Sequence, residues 1–213
     1  MSISIHRFIK SEEKANTYLI SQMGSNKVYL IDAGNTKLAL ESLKTEQALE
    51  AIFLTHDHYD HIADIHHAIN RFPNCMIYCS SYTQKALADS KQNLSFYHGT
   101  PVTFVGPQLK RVKDQQLIPI FDNDHIEVIE TPGHTEGSLS FKCQNNLFTG
   151  DALIPNLQVV TKLRTGNKIQ ARESIQKIKK ILKRQEVIWA GHGDSFTKEQ
   201  VNWENYLTLA PKE

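Results

Sequence analysis

Four times along this 213-residue chain an apolar, strand-like run stops at small or turn-forming residues, and a histidine or aspartate follows. Ala51-Ile52-Phe53-Leu54-Thr55 leads to His56, and Ile126–Glu130 leads through Thr131-Pro132-Gly133 to His134. Leu147-Phe148-Thr149-Gly150 leads to Asp151, and Val187-Ile188-Trp189-Ala190-Gly191 leads to His192. Strand ends on one edge of a sheet can converge, and rigid strands hold side chains with little play. Glycines at those ends let the backbone turn sharply. The recurrence therefore asks for a fold in which four strand termini meet.

The first terminus continues as His56-Asp57-His58-Tyr59-Asp60-His61, whose His-x-His-x-Asp-His pattern puts four potential metal ligands, His56, His58, Asp60 and His61, in six residues. Imidazole and carboxylate donors suit a divalent ion such as zinc. With His134, Asp151 and His192 the set reaches five histidines and two aspartates. A catalytic zinc uses about three protein ligands and keeps one position open, so seven donors exceed what one ion needs. Two ions sharing one carboxylate would use them all. His56 and His58, one residue apart, can face one ion, and Asp60 and His61, offset, can face a second. The spacing alone does not fix the full partition.

The formal net charge of +1 gives no global field to recruit nucleic acid or an acidic membrane. The N-terminus, Met1-Ser2-Ile3-Ser4-Ile5-His6-Arg7, carries no signal-peptide core, and no apolar run reaches the length of a membrane span. Cys75, Cys79 and Cys143 form an odd set without zinc-knuckle spacing, so reduced, partly buried thiols of a cytoplasmic protein are expected.

Periodicity predicts strands over Ile3–Phe8, Thr17–Ser21, Lys27–Ile31, Ala51–Leu54, Met76–Cys79, Ile126–Glu130, Ser138–Lys142, Asn146–Phe148 and Glu186–Ala190. It predicts helices over Ile62–Arg71, Tyr82–Lys91, Lys168–Arg184 and Lys198–Leu209. The third has the clearest apolar stripe, Ile169, Ile175, Ile178, Ile181 and Leu182, and its lysines read as a solvated face. Residues 82–124 lack a clear period and read as a long excursion with short strands. Within it, Phe96, Tyr97 and His98 are expected to pack as a loop core, with a lid over the site as the alternative. His66 and His67 are expected on a helix surface, and His6 and His125 in strands. The mixture predicts an α/β (α+β) protein, sheets covered by helices, in one domain spanning residues 1–213.

The chain resembles the metallo-β-lactamase fold superfamily, most closely its glyoxalase II-like branch. The resemblance rests on Thr55-His56-Asp57-His58-Tyr59-Asp60-His61, Thr131-Pro132-Gly133-His134-Thr135, Gly150-Asp151 and Gly191-His192-Gly193, in that order. Asp32, in Ile31-Asp32-Ala33-Gly34, matches an early strand-end aspartate that supports the site from behind the ligands. The resemblance implies a four-layer αββα sandwich with the site at one edge. It also implies His56, His58 and His134 on one metal, Asp60, His61 and His192 on the other, and Asp151 between them. Basic residues after the bridging aspartate meet a substrate carboxylate in such proteins, which makes Lys162, Arg164 and Lys168 candidate substrate contacts.

Two metal ions hold a bridging hydroxide ionised near neutral pH and stabilise the developing oxyanion. The expected function is a dinuclear zinc-dependent hydrolase of a small carbonyl substrate: a thioester, ester or lactone. Fe2+ and Mn2+ are the alternative ions, and Asp60 is the candidate to orient the hydroxide or accept its proton. The alternatives in function are a phosphodiesterase or nuclease of the same fold, and an iron-dependent persulfide dioxygenase. A small molecule is the expected partner, rather than nucleic acid or membrane. Asp151 differs from the residue of classical β-lactamases, which argues against antibiotic hydrolysis as the main role. His58 stands where the oxygen-reducing di-iron members carry a glutamate. Ile62-Ala63-Asp64 follows His61 where glyoxalase II and the tRNA-processing nucleases usually show glycine. The chain ends at Glu213, so the helical glutathione-binding domain of glyoxalase II is expected to be missing.

Overall fold

In the computed structural model, residues 2–10 and 15–207 are described. Six strands, β1 (Ile3–Phe8), β2 (Thr17–Gln22), β3 (Lys27–Ile31), β4 (Ala48–Phe53), β5 (Met76–Cys79) and β6 (Leu109–Arg111), form one sheet in that spatial order. The second sheet runs β12 (Phe196–Thr197), β11 (Val187–Ala190), β10 (Asn146–Gly150), β9 (Leu139–Cys143), β8 (Asp124–Glu130), β7 (Leu117–Ile120). Neighbours separated by eight residues or fewer pair antiparallel, whereas β3 through β6, and β10 with β11, pair parallel. Parallel neighbours need long crossovers. These contain α1 (Thr36–Glu41), α2 (Tyr59–Ile62), α3 (Ile65–Arg71) and α4 (Ser81–Leu87) for the first sheet, and α5 (Lys168–Ile181) for the second. The last helix among the described residues is α6 (Trp203–Leu207).

Side chains alternate between layers with the two-residue period of a strand. Leu19, Leu30, Ile52 and Leu54 point to an outer core with α1 and α3. Tyr18, Ile20, Ile31 and Phe53 point inward to meet Phe141 and Phe148 of the second sheet. Leu147, Ile188 and Ala190 point the other way, onto Ile175 and Ile178 of α5. Three apolar layers between four layers of structure make the expected αββα sandwich. Pro119, which cannot donate to a ladder, sits in β7 at a sheet edge, where it is tolerated.

The differences from expectation have local causes. The single helix expected over Ile62–Arg71 is two, because Asp64 donates its N–H to the carbonyl of Ala33 while Ala33 donates to that of His61. The helix expected to reach Arg184 stops at Ile181, where Leu182 turns extended and the Lys183 N–H is captured by the Glu186 carboxylate. The expected Lys198–Leu209 helix is a 3-10 turn, Lys198–Gln200, followed by α6, and residues 208–209 lie outside the described residues. α4 ends at Leu87, short of Lys91. α1, β6, β7 and β12 were not anticipated individually; each is only two to six residues long. Phe96 and Tyr97 do not form a loop core: they are 50% and 66% exposed, on a 3-10 turn over Ser95–His98. The three cysteines are free and buried, and burial pushes each thiol up to about 12. Among the described residues no helix is long and apolar enough to cross a membrane.

Candidate metal centre

Parallel pairing brings the strand ends into register. Gly150 at the end of β10 pairs with Ala190 at the end of β11, so Asp151 and His192 emerge side by side. Ile31 pairs with Phe53 at the ends of β3 and β4, which places Asp32 beside Thr55. The Leu139 N–H donates to the Thr55 carbonyl at 2.7 Å and so ties the two sheets together at this edge. Gly191 is required here, since a Cβ on it would stand 2.1 Å from Asp151 Oδ1.

The two halves of the His56–His61 run differ in backbone. His58 is extended, with φ −64° and ψ 147°, so His56 and His58 project from one side. Asp60 and His61 lie on α2 and project from a helical turn. The structure gathers all seven expected donors. His56, His58 and His134 form one group, and Asp60, His61 and His192 another; Asp151 groups with His56 and His61. The donor atoms of each group lie within 4.8 Å of one another. Asp151 Oδ1 is 3.4 Å from His61 Nε2, and its Oδ2 is 3.5 Å from His134 Nε2 and 3.6 Å from His192 Nε2. His134 Nε2 and His58 Nδ1 stand 2.9 Å apart, and His192 Nε2 is 3.4 Å from Asp60 Oδ2.

One carboxylate orients two of the rings. Asp32 accepts from the Thr55 N–H at 2.7 Å, from Thr55 Oγ1 at 2.8 Å and from His61 Nδ1 at 2.7 Å. With its proton committed to Asp32, the Thr55 hydroxyl accepts from His56 Nδ1, 3.0 Å away. Both imidazoles therefore carry their hydrogen on Nδ1 and turn Nε2 to the centre, the usual way a ligand histidine is held. Asp32 does this from a left-handed backbone, φ 61°, a conformation that costs a non-glycine residue about 1–2 kcal/mol. His134 is held likewise, its Nδ1 donating to the Val160 carbonyl at 2.8 Å.

The donor set fits a metal. His56 Nε2, His61 Nε2 and Asp151 Oδ1 are buried without any hydrogen-bond partner. Unpaired buried polar atoms are costly, and bound cations would satisfy all three. Charge differs across the site. Burial drives His56 well below its usual 6.5 and His58 down to about 3, and it lowers His134 as well. His61 is also buried, but Asp32, Asp60 and Asp151 overcome this and raise it well above 6.5. At His192, burial is outweighed by bonds to Asp151 and Asp60, which bring it up to about 9. Burial opposes the charge of Asp151, yet His61 and His192 hold it well below the carboxylate range.

Several supporting residues carried no signal in the sequence. Asn16 donates from its backbone to the Gly191 carbonyl at 2.6 Å and from Nδ2 to Gly193 at 2.9 Å, and the Tyr18 hydroxyl holds Ala190. Together they fix the turn that carries His192. Tyr59 stacks on His98 at 3.5 Å between ring centroids. Asp57 is buried within the motif, and burial pushes it up to about 7 against a bond from Thr135. Of the candidate substrate contacts, Lys162, Arg164 and Lys168 are all exposed; Lys162 and Lys168 line a cavity beside the centre, and Arg164 does not. His66, His67, His6 and His125 lie on α3, β1 and β8, exposed.

The metallo-beta-lactamase superfamily model matches residues 12–192 of the chain. The chain is 30% identical over 148 residues to a hydroxyacylglutathione hydrolase of Tolumonas auensis, covering 68% of this chain and 49% of that protein. It spans about half the length of the hydroxyacylglutathione hydrolases it matches. A probable metallo-hydrolase of Methanocaldococcus jannaschii is 29% identical over 196 residues, 84% of this chain and 88% of that one. Among solved structures, the BLEG-1 B3 metallo-beta-lactamase superposes with a TM-score of 0.82 at 26% identity, covering 92% of this chain and 95% of that one. ETHE1 from Myxococcus xanthus superposes with a TM-score of 0.74 at 21% identity, covering 96% and 83%, and shares the fold. Motif order, sandwich and donor cluster agree with the profile match: the chain belongs to the metallo-beta-lactamase superfamily.

Proposed function

We propose that this protein is a metal-dependent hydrolase with a two-ion centre, zinc in both positions, acting on a small thioester, ester or lactone. The reading rests on one observation above the others: seven donors converge at one sheet edge, where His56 Nε2, His61 Nε2 and Asp151 Oδ1 are buried without a hydrogen-bond partner. His56, His58 and His134 would hold one ion, Asp60, His61 and His192 the other, with Asp151 shared. Such a pair supplies water ionised near neutral pH and positive charge for an oxyanion. The chain's own residues do the rest. Asp32 and Thr55 keep the protons of His61 and His56 on Nδ1. Asp60, whose carboxyl the neighbouring His61 and His192 hold low against the effect of burial, presents an ionised oxygen that can accept a proton at the centre. Residues 1–213 are read as one domain carrying the whole centre.

A panel of chromogenic thioesters, lactones, phosphodiesters and β-lactams against the zinc-loaded protein tests this, with metal content measured alongside. Thioester, ester or lactone hydrolysis that vanishes with a chelator and returns with zinc is the expected result. Iron at one per chain together with oxygen uptake would overturn it. β-Lactam hydrolysis is the second reading, favoured by the 26% identity to BLEG-1 over nearly the full length of both chains.

A further inference from the structure

Among the described residues Phe96 and Tyr97 are the only exposed phenylalanine, tyrosine or tryptophan side chains. They are neighbours in the chain and meet edge to face, 5.4 Å between ring centroids. Single exposed apolar side chains are ordinary on a protein surface, whereas a joined aromatic pair marks a place that holds something apolar. Their position indicates what that is. The turn that carries them, Ser95–His98, packs on α2, and its last ring, His98, lies flat on Tyr59. Tyr59 stands between the donors His58 and Asp60, so the aromatic turn borders the metal centre. The centre itself is open to solvent through Asp60 and His192, whose side chains are 12% and 24% exposed.

The pair is held out by a fixed backbone rather than by a loose loop. Asn93, fully buried, accepts from the Ser95 N–H at 3.0 Å and donates to the Val102 carbonyl at 2.8 Å. Ser95 Oγ accepts from the Val102 N–H at 2.8 Å, and the Phe96 N–H donates to the Ser90 carbonyl at 3.0 Å. Leu94 and Gly99, at the two ends of the turn, both take left-handed backbone, φ 68° and 78°. That conformation is strained for a leucine, and such strain collects at ligand clamps. Buried hydrogen bonds and local strain thus present two rings to water at the mouth of the site. Their exposure is unfavourable in the free protein, and an apolar ring laid on them would remove it.

We propose that Phe96 and Tyr97 form a specificity wall for a thioester or ester whose acyl group carries an aromatic ring, the ring lying on the pair while the carbonyl lies at the metals. The proposal rests on the two-ion reading above, which supplies the anchor. Calorimetry on the metal-loaded protein tests it with phenylacetohydroxamate and acetohydroxamate, which share a metal-chelating headgroup and differ by the ring. The ring is expected to tighten binding about tenfold. Phe96→Ala together with Tyr97→Ala should abolish that advantage, with metal content and acetohydroxamate affinity unchanged. Tyr97→Ser alone, at the more exposed position, should reduce it about threefold and decides the matter if the double variant does not fold. In hydrolysis, the double variant should raise KM for a phenylacetyl thioester and leave KM for the acetyl thioester as it was. Equal affinity of the native protein for the two hydroxamates, or a ring advantage that survives the variants, overturns the wall alone. So does a dimer that the double variant dissolves, because the rings would then cover a second copy. Binding of neither hydroxamate overturns the two-ion reading, and the wall with it.

Discussion

The two groups of donors face each other across Asp151, yet they are built on opposite electrostatic principles. His56, His58 and His134 contain no carboxylate, and burial keeps all three rings neutral, His58 down to about 3. Asp60, His61 and His192 lie among carboxylates, and despite burial His192 is brought up to about 9. The first group therefore offers neutral imidazoles at neutral pH, whereas the second carries added protons that a cation must displace. Asp32 serves both groups, directly through His61 and by way of Thr55 to His56. One outer carboxylate thus orients a neutral imidazole and a charged one.

The strongest challenge to this division is Asp151→Ala. Loss of the shared carboxylate should empty both groups and cost more activity than the roughly 100-fold expected of an outer residue. Full occupancy of both ions by elemental analysis would break the proposed sharing. Asp32→Asn comes next, with an expected loss of about 10- to 100-fold in metal affinity at both groups. Thr55→Val should weaken only the His56 group, toward the lower end of that range, because the His61 to Asp32 bond survives. Competition with a metal-binding dye resolves the two binding steps, and equal weakening of both by Thr55→Val would contradict the relay.

The pH dependence separates the groups more gently. His192 is raised from 6.5 to about 9 before a metal binds, so below about 9 binding there releases a proton. Affinity of that group should rise about tenfold per pH unit from 6.5 toward 9 for each proton released. The His58 group, already neutral above about 3, should vary little over the same window. The sign for the metal-free fold follows. The raised His192 adds stability that is full below 6.5 and fades as pH rises toward 9. The depressed His58 costs stability as pH falls below 6.5 toward 3. Thermal unfolding of chelator-treated protein should therefore peak near the usual histidine value, and a steady rise through pH 9 would contradict the assignment. The smallest effect is expected for Asn16→Ala, about 1 kcal/mol of stability and a severalfold loss of affinity in the His192 group alone.

Much of the donor set was legible because its cause is local. An apolar run followed by glycine or threonine and then a histidine is written in adjacent residues, as at Phe53 to His56 and Trp189 to His192. The strands of the central ladders were legible for the same reason: Tyr18, Leu19 and Ile20 alternate between two cores. α1 and β6 were not, since a six-residue helix and a three-residue strand owe their form to the sheet they pack on. The break at Ala63–Asp64 was hidden too, because it is made by the backbone of Ala33, thirty residues earlier.

By itself the sequence determined the chemistry of the donors, the order of their motifs and the strands that end in them, since residue type and spacing are properties of the chain. Only the tertiary structure decided which donors share a group, because that depends on the parallel register of β10 with β11 and on the change from extended to helical backbone at His58. It also decided their charge. Desolvation and neighbouring carboxylates set the proton balance, and both are consequences of packing that no spacing of histidines records.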